Sequence, residues 1–113
     1  MKKKRGENTG VADFGRFSEP ALLIMISLAE CPKHGYAMLD DIERLSSQRL
    51  GAGTLYGAIA RLESHGLIEA LERNERRVPY RLTAEGKRVL RSRLASLEAM
   101  ARVGSQRLAG AGA

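Results

Sequence analysis

Residues 53–68, GTLYGAIARLESHGLI, contain the pattern that decides the fold. The apolar side chains recur at the spacing of one helix face, at Leu55, Ala58, Ile59 and Leu62, which predicts a helix with one buried side. The other face combines small residues with an aromatic and a cationic one: Tyr56, Gly57, Ala60 and Arg61. Small residues allow close approach, so this face is predicted to meet a partner surface. Gly66 is suited to end the helix.

Two further helices are predicted upstream. Ser18, Glu19 and Pro20 are residue types that begin a helix. Residues 21–29 are then apolar on nearly every face, so this first helix must be buried on more than one side. Beyond a break at Pro32 and Gly35, a second, amphipathic helix is predicted from the spacing of Met38, Leu39, Ile42 and Leu45.

A short β-hairpin is predicted downstream. Residues 67–73 are typical of a strand, residues 74–77 of a turn, and residues 78–82 alternate in polarity like a half-buried return strand. Pro79 lacks an N–H group, which restricts this strand to an edge or bulge position. The tip carries Arg73, Arg76 and Arg77.

A last helix is predicted to begin at the cap residue Thr83. Its apolar positions are spaced alternately by four and three residues, like a coiled-coil seam: Leu90, Leu94, Leu97, Ala101, Gly104 and Leu108. A helix that extends beyond a small domain and carries such an apolar stripe usually buries the stripe against a partner, which favours a homodimer. The alternative is that the stripe packs back on its own domain.

The predicted fold is therefore mainly α with a small β-hairpin, a winged helix-turn-helix with a C-terminal dimerisation helix. The winged domain is assigned to residues 18–82 and the dimerisation helix to residues 83–109. Residues 1–17 are expected to form a disordered basic arm, and residues 110–113 a frayed tail.

Composition favours an anionic partner. Nineteen Lys and Arg against thirteen Asp and Glu give a net charge of +6, which suits phosphate neutralisation. The stretch from Arg44 to Leu62 contains cations but no acid. The single cysteine, Cys31, suits a reducing compartment and is expected to be buried. No window approaches the ~18 apolar residues of a membrane span, so a cytoplasmic protein without a membrane partner is expected.

Several motifs resemble one family. The segments His34-Gly35-Tyr36, Gly53-Thr54-Leu55-Tyr56, Arg61-Leu62-Glu63, Gly66-Leu67-Ile68 and Tyr80-Arg81-Leu82-Thr83, within residues 20–92, closely resemble the PadR family of transcriptional regulators, in its compact branch with one C-terminal helix. The resemblance implies a homodimer that pairs through the last helix and binds duplex DNA. It also implies repression of a nearby promoter and, in some members, release by a small hydrophobic ligand.

The candidate DNA-binding residues are Tyr36, Gly53, Thr54, Tyr56, Arg61, Arg76 and Arg77. Contact with DNA is favoured over packing for Tyr56, and over a solvated turn for the two wing arginines. Tyr36 could equally serve the core, Arg61 could equally pair on the surface, and Thr54 could cap its helix or bind phosphate. The candidate dimer-interface residues are Leu90, Leu94, Leu97, Ala101 and Leu108.

Three alternatives bear on function. Leu94, Leu97, Met100 and Val103 could line a ligand space between subunits, although a filled dimer core is preferred. A winged helix could also serve as a protein-interaction module without specific DNA binding. An enzyme is not expected, because His34 and His65 lack zinc-ligand spacing and no phosphate-cradling glycine loop is present; no cofactor and no metal are predicted.

Overall fold

The computed structural model describes residues 20–112. Four helices and one antiparallel hairpin follow each other in the predicted order: α1 Pro20–Glu30, α2 Gly35–Ser46, α3 Ala52–Ser64, β1 Ile68–Ala70, β2 Tyr80–Leu82 and α4 Ala84–Gly112. This architecture confirms the winged helix-turn-helix prediction. The predicted cap at Ser18 and the basic arm at residues 1–17 lie outside the described residues.

Helix α1 is the centre of the core. Leu23, Ile24, Met25 and Leu28 are buried, and the helix packs against α2, α3, β2 and α4. This arrangement explains why α1 is apolar on nearly every face. Fully burying one such side chain contributes about 1.5–3 kcal/mol, so α1 is the element against which these four others pack.

Helices α2 and α3 bury the predicted faces with one exception. Met38, Leu39 and Ile42 of α2 are buried, as are all four apolar positions of α3. Leu45, in the last turn of α2, was expected on the core side, but it is 44% exposed.

The boundaries of α3 show which residues cap it. The helix begins at Ala52 with Gly51 as its N-cap, and no side chain caps it. Thr54 is therefore inside the first turn, and the capping role considered for it is wrong. After Ser64 the chain turns at Gly66, whose φ of 73° is left-handed, and the Leu67 N–H donates to the Leu62 carbonyl at 3.0 Å. Gly66 thus ends the helix as predicted.

The hairpin is shorter than predicted. Ile68 pairs with Leu82 and Ala70 with Tyr80, while the backbones of Asn74 and Arg77 exchange two hydrogen bonds of 2.8 and 3.0 Å across the tip. Pro79 lies just before β2, where its missing N–H breaks no regular strand pairing. On the far side of β2, Tyr80 also pairs with Lys33, a contact that the sequence analysis did not predict.

Helix α4 begins as predicted but continues further. The Thr83 hydroxyl accepts from the Gly86 N–H at 3.0 Å and donates to the Gly66 carbonyl at 2.7 Å, which caps the helix. The helix continues to Gly112, whereas residues 110–113 were expected to fray.

Leu90 needs a correction. It was assigned to the dimer interface, but it is only 5% exposed and belongs to the core of its own protomer. From Arg91 to Ala111 the side chains are exposed apart from half-buried Leu97. The stripe that remains open to a partner therefore starts at Leu94, one turn later than predicted.

The expectation for Cys31 was also wrong. Cys31 is exposed, because it lies between the end of α1 and Pro32, where the chain leaves the core. None of the helices within residues 20–112 combines the length and the apolar character that crossing a bilayer requires.

Candidate nucleic-acid interface

The outer face of α3 is open to solvent. Its exposed residues are Tyr56, Gly57, Ala60 and Arg61, while the residues on the opposite face of the helix are buried. The Arg61 guanidinium reaches back over Gly57, with Nη1 3.9 Å from the place where a Cβ would stand. A flat helix face with an aromatic ring and a guanidinium suits insertion into the major groove.

A cleft of about 380 Å³ lies between the start of α2, the face of α3 and the hairpin. It brings together four of the predicted DNA-binding residues, Tyr36, Tyr56, Arg76 and Arg77. Its full lining is His34, Gly35, Tyr36, Tyr56, Arg73, Arg76, Arg77, Val78 and Tyr80. No lining residue is acidic, and three are arginines, so the cleft is suited to an anion.

Gly35 makes the close packing of α2 and α3 possible. A Cβ at Gly35 would stand against the Tyr56 hydroxyl and only 2.7 Å from its Cζ. The Tyr56 ring therefore crosses directly over the first turn of α2, where its hydroxyl faces the cleft. The glycine of the His34-Gly35-Tyr36 segment is the sequence signal for this approach.

His34 is a cleft residue that was not among the predicted sites. Its Nδ1 accepts from the Ala37 N–H at 3.4 Å, which caps α2, and its Nε2 lies 3.4 Å from Nη1 of Arg77. The His34 ring therefore links the start of α2 to the hairpin.

Tyr80 and Arg73 complete the cleft and were also missed as site residues. In the sequence analysis Tyr80 belonged to an alternating strand and to one family motif, and Arg73 was one of three arginines at the tip. Burial, and to a smaller extent Glu63 and Tyr56, raise the pKa of Tyr80 above its ordinary value. Its hydroxyl is therefore protonated at neutral pH and can donate a hydrogen bond.

Gly53, Thr54 and Arg61 lie outside the cleft lining. Gly53 and Thr54 are exposed in the first turn of α3, where backbone N–H groups are unpaired within the helix. Arg61 is in the last turn of the same helix. The predicted residues thus divide into those of the cleft and those at the two ends of α3.

The acid-free stretch of the sequence is not acid-free in space. Arg49 pairs with Glu43 at 2.7 Å and with Asp40 at 3.5 Å, and the hydrogen bond with Glu43 raises its pKa. Arg44 pairs with Asp41 at 3.5 Å. By contrast, Arg61, Arg73 and Arg76 form no ion pair with any part of residues 20–112. Cations without an ion pair in the described residues are therefore present on α3 and at the hairpin.

The exposed part of α4 forms a second apolar surface. Leu94, Met100, Val103 and Leu108 are exposed, Leu108 by 76%. Ala101 lies on the same side as Leu94 and Leu97, because the three follow the four-and-three spacing. An open groove of about 410 Å³ is lined by Ala99, Met100, Val103, Gly104 and Arg107. It contains two of the four residues predicted to line a ligand space, but not Leu94 or Leu97.

Comparison with known proteins identifies a family and similar structures. The model of the transcriptional regulator PadR-like family matches residues 24–92. A PadR family transcription regulator from Clostridium difficile R20291 is 31% identical, with a TM-score of 0.71 over 80% of this chain and 99% of that chain. A transcriptional regulator from Clostridium thermocellum is 28% identical, with a TM-score of 0.73 over 87% and 97%.

A curated relative contains a similar segment within a longer protein. The uncharacterised 37.1 kDa protein in transposon TN4556 of Streptomyces fradiae is 44% identical over 75 residues, which are 66% of this chain and 22% of that protein. This chain therefore spans about a fifth of the length of that relative.

Proposed function

The chain belongs to the PadR-like family of transcriptional regulators, and we propose that it binds duplex DNA sequence-specifically as a homodimer and represses a nearby promoter. One observation carries the proposal: the acid-free cleft of tyrosines and arginines directly adjoins the exposed face of α3. The exposed face of α3, which would contact the bases, and the side chains that would bind phosphates are then on one side of the molecule, as duplex binding requires.

In this proposal each element has one task. Helix α3 enters the major groove, where Tyr56 and Arg61 meet base edges or adjacent phosphates. Gly53 and Thr54 bring the first turn of α3 close to the backbone, where its free N–H groups bind a phosphate. The cleft residues Tyr36, His34 and Tyr80 bind a second phosphate.

The hairpin is the wing of this arrangement. Arg73, Arg76 and Arg77 contact phosphates or the minor groove beside the site read by α3. Arg76 makes no ion pair within residues 20–112, so binding DNA breaks no internal bridge at the wing tip. Neutralising phosphates releases counterions, which makes the affinity depend steeply on salt.

The dimer forms through the stripe of α4 that starts at Leu94 and continues through Leu97, Ala101 and Leu108. Support comes from exposure, because large apolar side chains in a row along an exposed helix are otherwise left in water. A two-fold dimer presents two copies of α3, whose half-sites are expected about 34–36 Å apart along the duplex.

A small hydrophobic effector is the second part of the proposal. Leu94, Leu97, Met100 and Val103 would line its site between the subunits, and the groove at Met100 and Val103 supports this placement. Binding there would change the separation of the two α3 helices and so release DNA. A core filled by side chains alone is the alternative, and a thermal-shift screen with apolar and aromatic compounds distinguishes the two.

The main test is fluorescence anisotropy with the protein's own upstream DNA and a scrambled duplex, across a salt series. We expect tighter binding to the upstream fragment and a steep loss of affinity as salt rises. Weak and equal binding to both duplexes would instead favour a winged-helix module for protein interactions, without specific DNA binding.

A further inference from the structure

Lys33 lies where three elements meet. Its side chain is only 9% exposed, and its ammonium group donates to the Ser27 carbonyl at the end of α1, at 2.5 Å. The same group pairs with Glu30 at 2.9 Å and lies 3.9 Å from Asp41 of α2. One ammonium group thus ties the end of α1 to α2 and satisfies a carbonyl that the helix leaves unpaired.

The backbone of Lys33 holds the hairpin as well. Its N–H donates to the Tyr80 carbonyl at 3.1 Å, and its carbonyl accepts from the Tyr80 N–H at 2.9 Å. Strand β2 therefore pairs with β1 on one side and with Lys33 on the other. The side chain of Tyr80 lines the cleft, three residues along the chain from Arg77.

The position of Lys33 argues against direct contact with DNA. The ammonium is nearly buried and is compensated by two carboxylates, so it is not available to a phosphate. Burying a lysine costs desolvation and side-chain entropy, and such pairs contribute little net stability compared with apolar residues. Its position between the helices and β2 instead suits a role in fixing the position of the hairpin relative to the helices.

We propose that Lys33 is a positioning residue for DNA recognition: it holds the wing at the separation from α3 that the cleft requires. The inference rests on the proposed DNA-binding function. The ammonium anchors the loop between α1 and α2, the anchored loop holds Tyr80 through two hydrogen bonds, and Tyr80 sets the position of the arginines that precede it. Without the anchor, the hairpin keeps its own turn but loses its attachment to the helices.

The first experiment needs no DNA. Lys33→Met keeps a long unbranched side chain and removes the charge, and Lys87→Met makes the same change at an exposed lysine on α4. In hydrogen–deuterium exchange of the full chain, we expect the Tyr80 amide to exchange about tenfold faster in Lys33→Met. The exchange of the α3 and α4 amides is expected to stay unchanged. Exchange that rises equally across all elements, or not at all, would overturn the proposal.

The second experiment is a double-mutant cycle with DNA affinity as the readout. Arg76→Ala with Arg77→Ala is measured in the wild type and in Lys33→Met. We expect the wing substitutions to weaken binding about tenfold in the wild type and less than about threefold in Lys33→Met, because a detached wing no longer contributes. Equal losses in both backgrounds would show that Lys33 and the wing act independently, which contradicts the proposal.

The two experiments separate the inference from the function on which it rests. If the wild type binds no DNA, the proposed function fails, while the exchange of Tyr80 still decides whether Lys33 holds the wing. Should Lys33→Met not fold, Glu30→Gln is the second variant, because it removes the charge of the exposed carboxylate that pairs with the Lys33 ammonium group. It is expected to raise the exchange of the Tyr80 amide about threefold, and an unchanged rate would overturn the proposal.

Discussion

Tyr56 lies across the first turn of α2 at a point where only Gly35 leaves room for it, since a Cβ there would stand 2.7 Å from the Tyr56 Cζ. The far end of a tyrosine can move, so Gly35→Ala is expected to displace the ring instead of unfolding the domain. The stability change is expected to stay within about 1 kcal/mol, because alanine favours the helix. DNA affinity is expected to fall about tenfold, measured by anisotropy.

Gly110→Ala is the matched control, because a Cβ there meets nothing within 4 Å. It is expected to leave DNA affinity unchanged. Wild-type affinity in Gly35→Ala would show that the position of the Tyr56 hydroxyl does not matter for binding.

Charge reversal at the wing tests its contact with phosphates. Arg76→Glu with Arg77→Glu is expected to weaken DNA binding and to lower the slope of log affinity against log salt by about two. Lys87→Glu with Arg91→Glu changes the net charge equally at exposed positions of α4 and serves as the control. An unaltered slope in the wing variant would remove the wing from the mechanism.

Leu94 and Leu97 test the dimer. Leu94→Asp with Leu97→Asp places a charge in the stripe of both subunits, which is expected to raise the dimer dissociation constant by more than about 100-fold. Size-exclusion chromatography with light scattering measures the change. Ser92→Asp, exposed on another side of α4, is expected to remain dimeric.

Leu90 distinguishes folding from association. Because it is buried in its own protomer, Leu90→Ala is expected to cost about 2–5 kcal/mol of unfolding free energy. A monomeric wild-type protein would contradict the assignment of the stripe to a dimer.

Ser47 offers a test of backbone strain away from the interface. It ends α2 with a φ of 60°, in the left-handed region, where a side chain costs about 1 kcal/mol. Ser47→Gly is expected to raise the melting temperature by a few degrees. Ser46→Gly is expected to lower it, because the Ser46 hydroxyl donates to the Ile42 carbonyl at 2.6 Å and accepts from the Gln48 N–H. A lower melting temperature for Ser47→Gly would contradict the strain argument.

Local patterns were sufficient for the order of elements. The spacing of Leu55, Ala58, Ile59 and Leu62 determines which face of α3 is buried, because helical periodicity and burial depend on neighbouring residues alone. The end of α3 at Gly66 and the cap at Thr83 were also predictable, since each acts within a few residues of its own position.

Gly86 and Leu90 show where local patterns fail. Gly86 stands where a complete capping box would have Glu or Gln, but in the structure a Cβ there would collide with the Leu67 carbonyl. Leu90 fits the seam of α4 by spacing, yet it packs into the core. In both cases a segment distant in sequence lies against α4, and no periodicity encodes that contact.

The sequence by itself determined most of the buried helix faces and the turns, because these follow from the side chains within one or two turns of each residue, and its motifs determined the family. Only the tertiary structure decided that Arg49 is paired with the acids of α2, that Tyr56 crosses Gly35, and that His34 and Tyr80 join the arginines in one cleft. These relationships depend on how separate elements pack, and packing is set by the shape of the whole core.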